Sequence, residues 1–208
     1  MPTDATPSET AAPVSPTEAS PAARVGAVLF RNRSWLPVPF VVVPLLAPGK
    51  LSAAQWLIGA LIVALGEAMR LAGVAAAGTV TRRRSRDVQR LVTYGIFSWV
   101  RNPLYIGNFV IWIGFGVVSG VYWFLPMALA LFGVEYALIV RYEEGVLESI
   151  FGDEYLAYKQ RTPRWIPRPP AEADAGPHDW GEAWRSEISS FLQYAALAIL
   201  FAVKGRLN

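Results

Sequence analysis

Cysteine is absent from the 208 residues, and histidine occurs once, at His178. Without cysteine there is no disulfide framework, no thiolate nucleophile and no iron–sulfur cluster. One histidine and no cysteine also fall short of the usual ligand sets for zinc or haem, so no metal site is expected. Charge is scarce as well: 17% of residues are charged and 53% are hydrophobic, against about 25% and 45–50% in an average soluble domain. Those charges are bunched around residues 1–34 and 140–187, which leaves the intervening segments strongly apolar. A simple soluble globule is thereby excluded, and a membrane protein is indicated. Any chemistry must run on Arg, Asp, Glu, Asn, Tyr or a bound cofactor.

The net charge is +3 and the pI about 9.3. The arginines stand beside apolar runs rather than on a basic face of a soluble fold, which reads as membrane topology and not as a nucleic-acid partner. Residues 1–23 are rich in proline and carry acids but no basic residue; they cannot bury a core, and an unstructured tail is expected there. With neither a basic n-region nor an apolar h-region, they do not form a signal peptide.

Residues 24–80 read as N-terminal membrane helices. The run Trp35–Pro48 is shorter than the roughly 20 residues a span needs and holds Pro37, Pro39 and Pro44, so a kinked or shallow helix is expected. Residues 55–78 give the clearest span, about 36 Å of helix. Within it Glu67 and Arg70 share one face. They read equally as a structural ion pair near the interface or as an intramembrane site. The arginine-rich TVTRRRSRDVQR that follows is cytoplasmic by the positive-inside rule, with Arg82–Arg84 as headgroup anchors.

Residues 104–139 are too long for one crossing, and Ser119-Gly120 offers a hairpin turn. Gly107, Gly114 and Gly116 on the first arm permit close helix packing, and Pro126 fits the first turn of the second arm or kinks it. Residues 141–162 read as a pair of polar amphipathic helices split at Gly152. Residues 164–208 form a Pro- and Trp-rich linker and a last apolar helix over 188–203, either a short span or a helix lying against the bundle. Trp165, Trp180 and Trp184 suit interfacial anchors, and Glu187 suits the acid-favouring start of that helix. The fold class is all-α: a polytopic membrane bundle of four to five helices with a cytoplasmic catalytic face. The N-terminus lies inside, and the C-terminus outside if the last helix spans.

The chemistry is concentrated in Gln89–Tyr158, where two polar segments flank the hairpin and must meet at one face. One brings Arg101, Asn102 and Tyr105; the other brings Arg141, Glu143 and Glu144. Pro103 fits a first helical turn, Asn102 an N-cap, and the free N–H groups there suit an anionic group. A capped helix with an interfacial tyrosine explains Asn-Pro-x-x-Tyr alone, but not the paired carboxylates at the end of the next helix.

Leu91-Val92-Thr93-Tyr94-Gly95-Ile96-Phe97, then Arg101-Asn102-Pro103-Leu104-Tyr105-Ile106-Gly107, then Glu143-Glu144, Phe151-Gly152-Asp153-Glu154-Tyr155-Leu156-Ala157-Tyr158 and Pro163 stand in order across a hairpin. This series resembles the isoprenylcysteine carboxyl methyltransferase and phospholipid N-methyltransferase superfamily of integral membrane enzymes. The resemblance makes 81–163 the catalytic core. It implies S-adenosylmethionine bound in a cytoplasm-facing pocket, with Gln89, Leu91, Val92, Phe97, Asn102, Pro103 and Tyr105 lining the cofactor and Glu143 with Glu144 on the acidic side. Arg101 or Arg141 orients an anionic substrate group or the cofactor's carboxylate. Many family members carry His where Asn102 stands; Asn keeps hydrogen bonding but cannot titrate near pH 7. A carboxylate acceptor, as on a prenylated cysteine, needs no base, whereas an ammonium headgroup calls for one such as Glu144. The acceptor expected is a membrane lipid or a prenylated substrate, methylated at oxygen. The rival readings are a phospholipid headgroup N-methyltransferase, a sterol-reductase-like enzyme, for which no Gly-x-Gly-x-x-Gly is present, and a small transporter using Glu67 and Arg70. The oligomeric state is not legible.

Overall fold

The computed structural model describes residues 21–32, 38–49, 51–78, 90–171 and 176–207. Residues 1–20 of the tail expected over 1–23, the arginine run at Arg82–Arg86 and Gln89 lie outside the described residues, whereas Pro21–Ala23, expected to be unstructured, open the first helix. The elements in chain order are α1 (Pro21–Asn32), α2 (Val38–Leu46), α3 (Ala53–Ala77), α4 (Ile96–Trp99), α5 (Pro103–Ser119), α6 (Phe124–Arg161) and α7 (Trp180–Leu207), with no strand among the described residues. Helices α3, α6 and α7 are long and apolar enough to cross a membrane, and α5 is a shorter apolar helix.

The expected span appears as α3, which starts where the Ser52 hydroxyl accepts from the Gln55 N–H and stops at Gly78 with φ 74°. It runs antiparallel to α5 along a seam of glycines spaced by seven. A Cβ on Gly66 would stand 2.6 Å from the Gly107 carbonyl oxygen, and one on Gly107 would stand 2.7 Å from that of Gly66. Gly59 and Gly114 repeat the relation two turns away at 2.7 and 2.8 Å. Each backbone occupies the volume a side chain on the other would need. Gly116, expected to help this packing, instead faces Leu125 of α6.

The hairpin turns at Gly120, φ 66°, as expected, and Pro126 sits in the first turn of α6. The second arm runs on into the amphipathic segment as continuous helix from Phe124 to Phe151 of α6. At about 1.5 Å per residue that stretch is longer than a bilayer core of about 30 Å is thick. The one interruption of α6 is Gly152, with φ 49° and ψ −124°, where the break was expected.

The last helix corrects the sequence reading. It begins at Trp180, well before residue 188, and has 28 residues. Glu187 is therefore not an acid at a helix start. It is fully buried, and both of its oxygens accept from Arg70 Nη2 at 2.9 Å. Arg70 also reaches Asn108 of α5 and lies 3.3 Å from Glu67, which accepts from the Tyr194 hydroxyl at 2.8 Å. Glu67 and Arg70 thus join α3 to α5 and α7. At the other end of α7, the buried Lys204 ammonium donates to the Pro44 and Ser119 carbonyls. These contacts fix the directions: α5 and α7 run away from the end that carries Arg101, while α3 and α6 run towards it.

The seam makes a testable contrast. Gly66→Ala should cost about 1–3 kcal/mol through overpacking. Gly133 has open space where its Cβ would stand, so Gly133→Ala should instead gain up to about 1 kcal/mol of helix propensity. Thermal melts of the two variants in detergent check this, and equal midpoints would refute the seam as a constraint.

Candidate active site

Upstream of α5 the chain makes one short turn and one extended step. Gly95, φ 59°, starts the four-residue α4; Val100 is extended and fully buried; Arg101 and Asn102 then lead into Pro103, the first residue of α5. This stretch is stitched to the segment after α6. The Arg101 N–H donates to the Pro163 carbonyl at 2.9 Å and the Arg168 N–H to the Trp99 carbonyl at 3.0 Å. The Tyr158 hydroxyl donates to the Phe97 carbonyl at 2.8 Å. The two polar segments flanking the hairpin therefore meet, as the sequence requires.

Arg101 and Glu144 form the centre. Their side chains are 8% and 5% exposed. Arg101 Nε and Nη2 donate to Glu144 Oε1 at 3.1 and 2.9 Å, and Nη1 donates to the carbonyls of Lys159 at 2.9 Å and Thr162 at 2.7 Å. Arg164 completes the group: its Nε reaches Glu144 Oε1 at 3.1 Å and its Nη2 reaches Oε2 at 2.6 Å. The Arg164 side chain is 35% exposed, and the hydrogen bond to Glu144 pushes its pKa further up. Both oxygens of Glu144 are engaged by guanidinium groups. A carboxylate so held has little tendency to take a proton, which counts against a role as general base.

Asn102 stands at the N-cap position of α5 but makes no side-chain cap. Its φ of −124° and ψ of 53° lie outside the extended region usual for a cap, and its Nδ2 donates instead to the Arg164 carbonyl at 3.2 Å. Pro103 is buried beside it. Leu91, Val92 and Phe97 are half-buried along the approach. Tyr105 turns into the bundle, its ring 5.0 Å from that of Tyr136. Glu143 is half-buried, whereas Arg141 is exposed on α6 and makes none of the contacts that tie Arg101 to Glu144. Sequence reasoning missed Arg164, although it directly follows Pro163, the end of the matching motif. An open apolar pocket lined by Met69, Ile96, Trp99, Val100 and Pro167 adjoins the cluster. A carboxylate, helix N–H groups and an apolar wall with an exposed indole suit a ligand with an amino-acid end and an aromatic base.

The family model described as phospholipid methyltransferase matches residues 54–154. The match covers just under half of the chain. The matched residues run from the start of α3 to just past Gly152, so Arg164 and α7 lie beyond them. The chain is 36% identical over 132 residues to the human protein-S-isoprenylcysteine O-methyltransferase, covering 57% of this chain and 44% of the human protein. It is 32% identical over 117 residues to the B form from Arabidopsis thaliana, covering 52% of this chain and 57% of that protein. It is also 34% identical over 83 residues to the nickel-cobalt-cadmium resistance protein NccN of Alcaligenes xylosoxydans xylosoxydans, covering 40% of this chain and 38% of that protein. The chain spans about half the length of the curated relatives it matches. Its apolar helices and these relatives make it an integral membrane protein.

Removing Arg101 leaves Glu144 to Arg164 alone and takes the donor from the Lys159 and Thr162 carbonyls, at about 1–3 kcal/mol for each buried group left unsatisfied. Arg101→Ala should therefore lower the thermal midpoint sharply. Arg101→Lys should not restore it, because one ammonium cannot reach Glu144 and two carbonyls together. A melting curve for Arg101→Ala that overlays the parent would refute the structural weight given to this pair.

Proposed function

We propose that the chain transfers a methyl group from S-adenosylmethionine to a membrane-embedded lipid or prenylated acceptor. The preferred acceptor is the carboxylate of an isoprenylcysteine, and the end carrying Arg101 faces the cytoplasm. The observation that carries this reading is the closure of Arg101 on Glu144, which joins the two family motifs at one end of the hairpin. The names of the relatives support the reaction type, and the arginine-rich stretch between α3 and α4 supports the orientation.

S-Adenosylmethionine, when bound, supplies a methyl group on a sulfonium ready for in-line displacement. The protein's part is positioning and exclusion of water. Glu144, with Glu143 beside it, supplies the acidic side for an ammonium. Arg101 holds Glu144 through two donated bonds and is itself fixed by two more to the Lys159 and Thr162 carbonyls. Asn102, Pro103 and Tyr105 form the start of α5, where free N–H groups suit a carboxylate. Leu91, Val92 and Phe97, half-buried just upstream of α5, are assigned to the cofactor's apolar side, and Gln89 is assigned there from its place in the motif alone. Arg141, exposed on α6, is placed to meet an anionic group arriving from outside the cluster. The N-methylating alternative needs a base to remove an ammonium proton, and the engagement of both Glu144 oxygens weighs against it.

The test is transfer of labelled methyl to acceptors by the full chain in lipid nanodiscs. Alkali-labile label on a farnesylated cysteine analogue is the expected result, since a methyl ester hydrolyses in base. Alkali-stable label on phosphatidylethanolamine would move the reading to N-methylation. No label on any acceptor, with no calorimetric binding of S-adenosylmethionine at millimolar concentration, would overturn it.

A further inference from the structure

Two guanidinium groups share one carboxylate at the candidate site, and these three side chains together carry a net positive charge. The ligand proposed above brings an ammonium and a sulfonium of its own. Like charges about 4 Å apart repel by about 4 kcal/mol at the effective dielectric of a protein surface, so one cation must leave Glu144 before another can approach it. The two arginines are not equivalent candidates. Arg101 is 8% exposed and is also fastened to the Lys159 and Thr162 carbonyls. The Arg164 side chain is 35% exposed, and among the described residues its hydrogen bonds run to Glu144 alone. Its backbone stays anchored, because the carbonyl accepts from Asn102 and its neighbour Pro163 accepts from the Arg101 N–H. Only the side chain has to swing. Glu144 Oε2, which accepts from Arg164 Nη2, is the oxygen that opens, while Oε1 keeps both bonds from Arg101.

We infer that Arg164 is a built-in counter-cation that latches Glu144 and is displaced by the ammonium of the incoming cofactor. The inference rests on the proposed methyltransferase reading. It adds to that reading a competition between a side chain beyond the family-matched segment and the ligand, so that affinity for the cofactor is held below what Glu144 alone would give.

Calorimetry on the full chain in detergent tests this with Arg164→Ala and with Arg164→Met, which keeps the apolar stem. Both variants should bind S-adenosylmethionine roughly tenfold more tightly than the parent, a gain of about 1.4 kcal/mol. Their affinity for 5′-methylthioadenosine, which lacks the amino-acid end, should be unchanged. Unchanged or weaker binding of S-adenosylmethionine by both variants, with binding by the parent intact, overturns the latch and leaves the methyltransferase reading standing. Equal tightening for 5′-methylthioadenosine also overturns it, since that would be a general loosening of the pocket. Binding by neither parent nor variants removes both readings together.

Discussion

The close approach of α3 and α5 is the constraint on which the rest of the bundle depends. In a membrane, apolar side chains gain little by leaving lipid for one another, so helices associate through tight backbone contact and buried polar bonds. The paired glycines at 59 with 114 and 66 with 107 give that contact. Their register decides what lies at each depth. It sets Arg70 beside Gly107, from where its guanidinium reaches Asn108 on α5 and Glu187 on α7. It also brings Gly73 against Leu104 and Pro103, at the very start of α5. The position of the Arg101–Glu144 cluster is thus inherited from a seam that contains no functional group.

Two charged clusters serve different ends. Around Arg70 the charges are deep and unite three helices, with α7 docked by Glu187 and again by Lys204 at its far end. Around Arg101 the charges lie where α6 has left the apolar zone, and one member, Arg164, is open to solvent. Buried pairs of the first sort add little net stability yet are costly to break. They secure which helix packs where. The second cluster combines a fixed half and an exposed half, an arrangement suited to exchange.

Much of this was legible in the sequence because the signals are local. Apolar length marked α3, Ser119-Gly120 marked the hairpin, Gly152 marked the break in α6, and the family motifs placed Arg101 and Glu144 at one end. What escaped depends on tertiary contact. Residues 180–187 look polar and linker-like, yet the Asp179 carboxylate caps the helix start by accepting from the Glu182 N–H, and Glu187 docks the helix on Arg70. The continuity of α6 was hidden because a change from apolar to charged residues marks the membrane boundary and not a helix end. Asn102 has the right identity for a cap, but a backbone carbonyl on a distant segment takes its amide. Arg164 carries no local signal at all, since its meaning comes from a carboxylate twenty positions earlier on α6.

Helix α6 has one further consequence. From Phe124 to Gly152 it is an unbroken rod whose exposed Met127, Leu131 and Val134 face lipid and whose later turns carry Glu144. The depth of the apolar section is set by hydrophobic matching with the bilayer. The carboxylate cannot adjust its height independently, because the break at Gly152 comes after it. Bilayer thickness is thereby transmitted along the rod, and the distance of Glu144 from the headgroups becomes a property of the lipid as much as of the protein.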